Sequence, residues 1–148
     1  MTEIVLPEDS NSRGSIFGGR VLALVDKCAA IVALRHARCE VVTASVDSVD
    51  FRSPVRVGYV LVLNGRLNAV FGSSMEIEIE VHAEDPLTSL RQLTTRAFVT
   101  MVAMADGRPT PAPRLTLVSD EERERAAAAG AGRRDRIARR AQPRLTSN

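Results

Sequence analysis

The chain has 148 residues and a formal net charge of +2, from 20 Lys and Arg against 18 Asp and Glu, and only 3% of its residues are aromatic. That length suffices for one aliphatic core, and the lack of a run of about 18 apolar residues argues against a membrane span. The first residues lack the basic region of a signal peptide, and Cys28 and Cys39 are spaced neither as metal ligands nor as a disulfide framework, so neither export nor a bound metal is expected.

The predicted elements, in chain order, are one helix among strands. Residues 3 to 6 predict a short edge strand, and residues 18 to 36 predict a helix that is apolar on nearly every side and should be buried. Further strands are predicted over residues 41 to 51, 57 to 69, 75 to 82 and 91 to 104. A strand, a helix and then four strands favour an antiparallel sheet over repeated βαβ units, so the predicted fold class is α+β.

The strand over residues 75 to 82 has the clearest alternation of apolar and polar side chains in the chain. Its polar row is Glu76, Glu78, Glu80 and His82. Strict alternation is typical of a sheet with one face on the core and one in water. We therefore expect this row to be solvated, and we assign it no chemistry.

The C-terminal part differs in charge from the rest. Residues 1 to 118 are predicted as the folded domain, and residues 119 to 148 as a charged tail that is helical or partly disordered. Ser119 or Asp120 can cap a helix, whereas Gly130 and Gly132 should weaken or break it. The arginines near the C-terminus are either a solvated extension or contacts for anionic partners such as nucleotide phosphates.

The segment from Asn11 to Asp26 combines residue types that carry chemistry. Gly18 and Gly19 stand at the predicted helix start, where they either allow close backbone packing or expose N–H groups that hold an anion or a polarised carbonyl oxygen. Asp26 lies roughly 12 Å further along the helix, among apolar neighbours. Such a carboxylate needs a hydrogen-bonding partner, a cleft to solvent or a shifted pKa, and a purely structural role is an equal alternative.

The pattern of Asn11, Gly14, Phe17, Gly18 and Gly19, followed by Asp26, resembles the active-site signature of hot-dog-fold acyl-CoA thioesterases. Downstream, the segments over residues 42 to 51, 53 to 58 and 72 to 75 are similar to the family's next strand and turns, so the resemblance covers about residues 8 to 115. Many relatives carry histidine at position 17, whereas the Phe17-Gly18-Gly19 motif of this chain is similar to the acyl-CoA hydrolase subgroup that acts on varied short to long acyl-CoAs. The resemblance implies a hot-dog fold, an antiparallel sheet wrapped around one long central helix.

The resemblance also implies an activity: hydrolysis of an acyl-CoA thioester to a free acid and coenzyme A, with no cofactor beyond the substrate's own coenzyme A. In that family's chemistry the Gly18 N–H would bind the thioester oxygen, and Asp26 would act as general base or nucleophile. Asn11 would orient water or the carbonyl group. The Ser45 hydroxyl would hold water as in some relatives, and a structural serine of the strand is an equal alternative. Substrate-binding positions implied in the same way are Phe17, Gly19, Arg56, Gly72, Ser73 and Ser74.

Family members pair into dimers and assemble further, so the resemblance implies a homodimer within a tetramer or hexamer, with Asn11 and Gly18 from one subunit and Asp26 from the other. The Arg-rich, Lys-poor and Ala-rich composition indicates a bacterial protein of the cytoplasm. A non-catalytic acyl-CoA sensor is the alternative, but the chain leaves no room for a DNA-reading module, and no nucleic-acid partner is expected. Hydration of acyl thioesters is less favoured, because His36 and His82 are poorly placed to serve as its catalytic histidine.

Overall fold

The strands form one antiparallel sheet, and a long helix lies on each of its faces. The computed structural model describes residues 1 to 141. The helices are α1 (Gly18–Ala37) and α2 (Asp120–Ala141), and a short 3-10 turn spans Pro7–Asp9. The strands are β1 (Thr2–Ile4), β2 (Glu40–Phe51), β3 (Val60–Phe71), β4 (Ser74–Glu84), β5 (Arg91–Ala105) and β6 (Arg108–Pro109).

The order of the strands across the sheet is β1-β3-β4-β5-β2, and β6 adds a short pairing to β5. All pairings are antiparallel, as predicted. The predicted strand over residues 57 to 69 begins later than expected, because Gly58 has a φ of +88° and Val57 donates its N–H to Gly14 rather than to a neighbouring strand. The strand β2 pairs only with β5 and is therefore a free edge of the protomer.

The concave inner face of the sheet packs on α1 and forms the core. Ile77 and Ile79 of β4 are fully buried there, as are Val25 and Ala29 of α1. Gly65 of β3 marks the closest approach of helix and sheet, because a Cβ at this position would lie 2.7 Å from Val32 Cγ2 and 2.9 Å from Ile79 Cδ1. The central helix of the predicted fold is thus confirmed, and it depends on a glycine opposite it.

The prediction that α1 is buried on nearly every side is wrong for the isolated protomer. Leu22 and Leu34 are exposed, and so is Asp26. The neighbouring edge strand β2 also exposes Val42 (47%) and Val46 (44%). Val46 pairs with the buried Val99 and so shares the inner face with α1, whereas Val42 pairs with Val102 on the outer face.

The prediction that the glutamate row of β4 is solvated is also wrong. Glu76 is 5% exposed and Glu78 is 8% exposed, because α2 lies across the outer face of the sheet. Arg136 of α2 reaches Glu76 Oε2 at 3.3 Å and Asp47 Oδ2 at 3.4 Å. Alternation identified two distinct faces correctly, but it could not show that a charged helix covers the second one.

The helix α2 begins with a capping box, as the prediction of a cap at Ser119 or Asp120 anticipated. The Ser119 hydroxyl accepts the N–H of Glu122, and the Glu122 carboxylate accepts the N–H groups of Val118 and Ser119. The helix then continues through Gly130 and Gly132, so the expected break is wrong. Packing against the sheet holds it together, with Ala129 buried and the Arg133 guanidinium over the Phe71 ring. The predicted tail extends over residues 142 to 148, which lie outside the described residues.

Candidate functional site

The loop before α1 is a tight turn organised by the Asn11 side chain. Its Oδ1 accepts hydrogen bonds from the N–H groups of Arg13 (2.9 Å) and Ser15 (3.2 Å). The turn is closed by Gly14, whose φ of +72° lies in the left-handed region that favours glycine. Because the amide oxygen is already used, the Asn11 NH2 group is the part left to act on a ligand, and it can only donate.

The start of α1 is fixed to this loop and presents free N–H groups. Phe17 donates its N–H to Asp9 O at 2.9 Å, and Arg20 forms an ion pair with the Asp9 carboxylate at 3.0 Å. Within residues 1 to 141 no acceptor takes the N–H of Gly18 or Gly19. A helix start with free donors and a partial positive charge suits a carbonyl oxygen that gains negative charge.

Gly18 also borders a groove of about 310 Å³ that is lined by Ile16, Val21, Phe51 and Val55 among others. A Cβ on Gly18 would lie 3.6 Å from the Phe51 ring. Gly18 is exposed but lies beside the Phe51 ring, so a ligand seated in the groove would shield a hydrogen bond to the Gly18 N–H from water and strengthen it.

Asp26 lies on the exposed side of α1 and has one partner, a threonine of β2. Thr43 Oγ1 donates to Asp26 Oδ1 at 2.6 Å. The sequence analysis predicted that this carboxylate needs a hydrogen-bonding partner, a cleft to solvent or a shifted pKa. The structure shows a hydrogen-bonding partner and access to solvent. Since no other donor within residues 1 to 141 takes the second oxygen, Oδ2 is available to water or substrate. Sequence reasoning missed Thr43, although it is the hydroxyl nearest in sequence to the predicted Ser45.

The structure does not bring Ser45 to Asp26, and a β-bulge is the reason. Thr43 pairs with Met101, but the register shifts at Ala44, and Ser45 pairs with Thr100. The extra residue turns Ser45 to the outer face of the sheet, where its hydroxyl donates to Asp47 Oδ1 at 2.7 Å. The catalytic placement of Ser45 is therefore corrected, and Thr43 supplies the hydroxyl on the inner face.

The remaining predicted substrate-binding residues fall into two groups at opposite ends of the sheet. Phe17, Gly19 and Arg56 lie at the end of Gly18, and Arg56 is tied to the Asn11 loop by a bridge to Ser15. The second group is the turn between β3 and β4, which holds Gly72, Ser73 and Ser74. Ser74 pairs with Val102 whereas Phe51 pairs with Thr95, so roughly 23 Å of β5 separates the two groups within one protomer.

Other chemistry is sparse within the described residues. No group of three or more His, Cys, Asp or Glu among residues 1 to 141 is arranged to hold a metal ion. Burial raises the pKa of the Cys28 thiol, which outweighs the lowering effect of the N-terminal ammonium and makes Cys28 a poor nucleophile. No helix within residues 1 to 141 is long and apolar enough to cross a membrane.

Known proteins resemble this chain over most of its length. A family model described as the thioesterase superfamily matches residues 13–90. An uncharacterised acyl-CoA thioester hydrolase of Bacillus subtilis is 39% identical over 121 residues, which are 81% of this chain and 70% of that protein. The rat cytosolic acyl coenzyme A thioester hydrolase is 39% identical over 119 residues, 78% of this chain, but this chain spans only 31% of its length.

Solved structures extend the likeness to the fold. A hexameric acyl-CoA thioesterase in its apo form has a TM-score of 0.91 at 44% identity, and the match covers 97% of this chain and 92% of that one. An acyl-CoA hydrolase from Staphylococcus aureus, solved with butyryl coenzyme A and coenzyme A, has a TM-score of 0.87 at 34% identity, over 95% of this chain and 86% of that one.

The Staphylococcus aureus enzyme has also been solved as alanine variants of one asparagine, one aspartate and one threonine, at positions 15 and 17 residues apart. Asn11, Asp26 and Thr43 are the same residue types at the same two spacings. The roles of these residues in the present chain stay predictions. With a family model that matches more than half of the chain, and relatives well above 30% identity, the predicted hot-dog fold is confirmed and the chain belongs to the thioesterase superfamily.

Proposed function

We propose that the protein hydrolyses acyl-CoA thioesters to a free carboxylic acid and coenzyme A. The observation that carries the proposal is the Asp26 carboxylate, held by Thr43 on the exposed side of α1 with its second oxygen free. A free helix start at Gly18 and a free amide NH2 group at Asn11 supply the two other functions that the reaction needs. The relatives named as acyl-CoA thioester hydrolases support the same activity.

The active site of this proposal forms between two subunits. Gly18 and Asp26 are roughly 12 Å apart along one helix, too far for a single carbonyl group to reach both. The free edge of β2 and its exposed Val42 and Val46 are suited to pairing with a second copy. A two-fold axis pairs two β2 edges antiparallel, so the Phe51 end beside Gly18 meets the Thr43 end of the partner, which carries the partner subunit's Asp26.

The same pairing gives a place to the second group of predicted binding residues. The turn at Gly72, Ser73 and Ser74 lies at the opposite end of the sheet from Gly18 in one protomer. An antiparallel dimer brings that end of one subunit toward the Gly18 end of the other. A substrate that spans the interface can then contact both groups. Further assembly into a hexamer, as in the apo acyl-CoA thioesterase of known structure, is part of the proposal.

In the proposed reaction the thioester oxygen accepts the Gly18 N–H, which stabilises the negative charge that develops when the carbonyl carbon is attacked. Comparable single donors contribute about 3 to 4 kcal/mol in other enzymes. Asp26 Oδ2 either takes a proton from the attacking water or attacks the carbon itself. The Asn11 NH2 group donates to the water or to the carbonyl oxygen. Collapse of the intermediate breaks the C–S bond, and the proton taken from water passes from Asp26 to the leaving sulfur, which releases the coenzyme A thiol. If Asp26 attacks the carbon itself, the coenzyme A thiolate leaves and water then hydrolyses the acyl-aspartyl anhydride, which frees the acid and supplies the proton for the thiol.

Arg56 is the proposed contact for the coenzyme A phosphates. It is exposed, it is linked to the Asn11 loop, and it forms no ion pair within residues 1 to 141. Arg136, by contrast, is held by Asp47 and Glu76 and is not free for this purpose. A cytoplasmic location is likewise proposed, supported by the rat relative that is named as cytosolic.

The first test is release of free thiol from a panel of short, medium, long and aromatic acyl-CoAs by the wild type and by Asp26→Asn. We expect the substitution to lower turnover by about 10²- to 10⁴-fold, because it keeps the shape of the side chain and removes its basicity. Asp106→Asn is the matched control, an identical change in the exposed turn after β5.

Equal loss in Asp106→Asn, or full activity in Asp26→Asn, would contradict the assignment. A wild type that binds acyl-CoA in the panel but releases no thiol would replace the hydrolase with the acyl-CoA sensor. Equilibrium binding of a non-hydrolysable acyl-CoA thioether shows whether a protein that releases no thiol still binds acyl-CoA, as the sensor would.

A further inference from the structure

A second groove, of about 490 Å³, lies between α2 and the outer face of the sheet. It is separated from the proposed active site by the sheet itself, since Asp26 and Gly18 belong to the inner side. On the sheet side it is lined by Asn68, Glu76 and Glu78, and on the helix side by the small residues Ala128 and Gly132. Small side chains on α2 are the reason that the helix covers these carboxylates without filling the space above them.

The floor of this groove has more hydrogen-bond acceptors than donors. Asn68 is 3% exposed, and its Oδ1 has no donor within residues 1 to 141. Its Nδ2 reaches Glu76 Oε1 only at 3.5 Å. Glu78 has an ion pair with Arg96 at 3.4 Å, but the same Arg96 Nε makes no hydrogen bond, so Glu78 also lacks a hydrogen-bond donor within that range. Charge-assisted bonds are normally about 2.7 to 2.9 Å long.

The rim of the groove has the opposite charge. Arg125 and Arg139 of α2 line it, and of the two only Arg125 has an ion pair within the described residues, a long one of 3.8 Å with the exposed Glu121. Asp135 also lies on the rim, between the two arginines in sequence. A ligand that enters from the rim therefore meets guanidinium groups first and buried acceptors at the floor.

We propose that this groove binds a small ω-amino carboxylate. Its ammonium group donates to Asn68 Oδ1 and to the Glu78 carboxylate, which supplies the donors that the floor lacks. Its carboxylate accepts hydrogen bonds from Arg139 at the rim. The proposal is independent of thioester hydrolysis, because none of these residues belongs to the inner face.

Isothermal titration of the full-length protein with γ-aminobutyrate and ε-aminocaproate tests the chemical class. We expect one of the two to bind, and n-butylamine and butyrate, which each lack one charged end, to bind at least about tenfold more weakly. Failure of both amino acids to bind would overturn the proposal and leave a groove filled by water. Equal binding by either single-ended compound would overturn the zwitterion in particular.

Variants then locate the site. Asn68→Ala removes the unpaired acceptor, and Ala128→Leu fills the space under α2, so each should weaken binding by about tenfold or more. Ala127→Leu is the matched control, an identical change at an exposed neighbour that does not line the groove, and it should bind as the wild type does. Circular dichroism and the melting temperature serve as the folding control for all three variants.

Arg139→Gln separates the two ends of the ligand. The substitution should weaken the binding of the amino acid and leave the already weak binding of n-butylamine unchanged, because n-butylamine has no carboxylate to contact Arg139. Unchanged binding of the amino acid by Asn68→Ala, or equal loss in Ala127→Leu, would place the ligand elsewhere on the protein and overturn the assignment.

Discussion

The two helices pack on opposite faces of the same sheet by different physical means. Between α1 and the inner face the contacts are apolar and so close that Gly65 has no room for a Cβ. Between α2 and the outer face they are polar, with Arg136 placed between Asp47 and Glu76, and they leave grooves. The exposed Asp26 carboxylate takes no part in the apolar packing of α1. The contact of α2 with the outer face depends instead on ion pairs, which a single substitution can leave unbalanced.

This contrast indicates that different substitutions should affect function and stability. Asp26 is exposed in the protomer, so its loss should not unfold the chain, and in the proposed dimer it acts together with residues of the other subunit. Glu76 and Asp47 are deeply covered, so their ion pairs matter to the fold although they lie far from the proposed chemistry. Substitutions on α1 at the subunit surface should affect activity first, and substitutions under α2 should affect stability first.

The largest expected effect tests whether two subunits share each active site. Asp26→Asn and Asn11→Ala are each expected to be nearly inactive alone. If Asp26 of one subunit works with Asn11 of the other, co-expressed chains form mixed dimers with one intact site, and random pairing gives about a quarter of wild-type activity. Differently tagged chains allow the mixed dimers to be purified and assayed for thiol release.

The matched control for this complementation co-expresses one chain that carries Asp26→Asn with a second chain that carries Thr43→Val. Both changes damage the same half of the site, so no mixed dimer contains an intact site and activity should not rise above that of Thr43→Val alone. Recovery in this control would show that the gain in activity does not come from completing a shared site, and no recovery in the first pair despite purified mixed dimers would show that each site is built within one subunit.

A stability test addresses the charged packing of α2. Arg136→Met keeps the length of the side chain but leaves Asp47 and Glu76 without their shared cation. Removing one partner of a fully buried pair costs about 3 to 5 kcal/mol, and since the Arg136 side chain is 24% exposed we expect a loss of about 2 kcal/mol in the free energy of unfolding. Chemical denaturation measures this change.

Arg123→Met is the control, because the pair of Arg123 with Asp120 is exposed and should be worth less than about 0.5 kcal/mol. Neutralising both acids in Arg136→Met, by Asp47→Asn and Glu76→Gln, should recover part of the loss. A similar loss in Arg123→Met would mean that the helix itself, rather than its contact with the sheet, is the weak element.

Two glycine-to-alanine changes compare the closeness of the two helix contacts. Gly65→Ala places a methyl group against Val32 and Ile79 and should destabilise the protein by about 1 to 3 kcal/mol. Gly130→Ala meets only the end of the exposed Arg134 side chain, at 3.7 Å, and should stabilise the protein by up to about 1 kcal/mol through helix propensity. Thermal or chemical unfolding measures whether each substitution raises or lowers the stability of the protein. Adding Val32→Ala to Gly65→Ala should restore stability, and no restoration would place the strain elsewhere.

How much of this could be predicted from the sequence follows the same division. The inner side obeys periodicity, so α1 and the four long strands were predicted within a few residues. Asn11, Gly18 and Asp26 were predicted as site residues from the resemblance of their segment to a family signature, which needs no knowledge of packing. Thr43, the hydroxyl partner of Asp26, was not predicted. The β-bulge at Ala44 places Thr43 and Ser45 on opposite faces of the sheet, although residues two apart in a regular strand share one face.

The outer side could not be predicted by the same means. The row of Glu76, Glu78 and Glu80 alternates as a solvated face does, and a lone sequence pattern does not reveal that a distant arginine helix covers it. Gly130 and Gly132 have low helix propensity, yet tertiary packing over the sheet sustains the helix there. The sequence offered one indication, an arginine-rich helix in the same chain as an acidic strand face. That pattern is equally typical of a helix and a strand face that are both in contact with solvent.

The smallest expected effect concerns the start of α2 and its dependence on pH. The N–H groups of Val118 and Ser119 hold the pKa of the Glu122 carboxyl below its ordinary value of 4.5. A lowered folded-state pKa contributes stability that is present above the unfolded pKa and is lost as pH falls through the folded one. The difference in melting temperature between the wild type and Glu122→Gln should therefore be largest near about pH 6 and shrink toward zero in acid. Glu121→Gln, a neighbour outside the capping box, should show no such trend, and an equal pH dependence in both variants would assign the effect to the general charge of the helix start rather than to the cap.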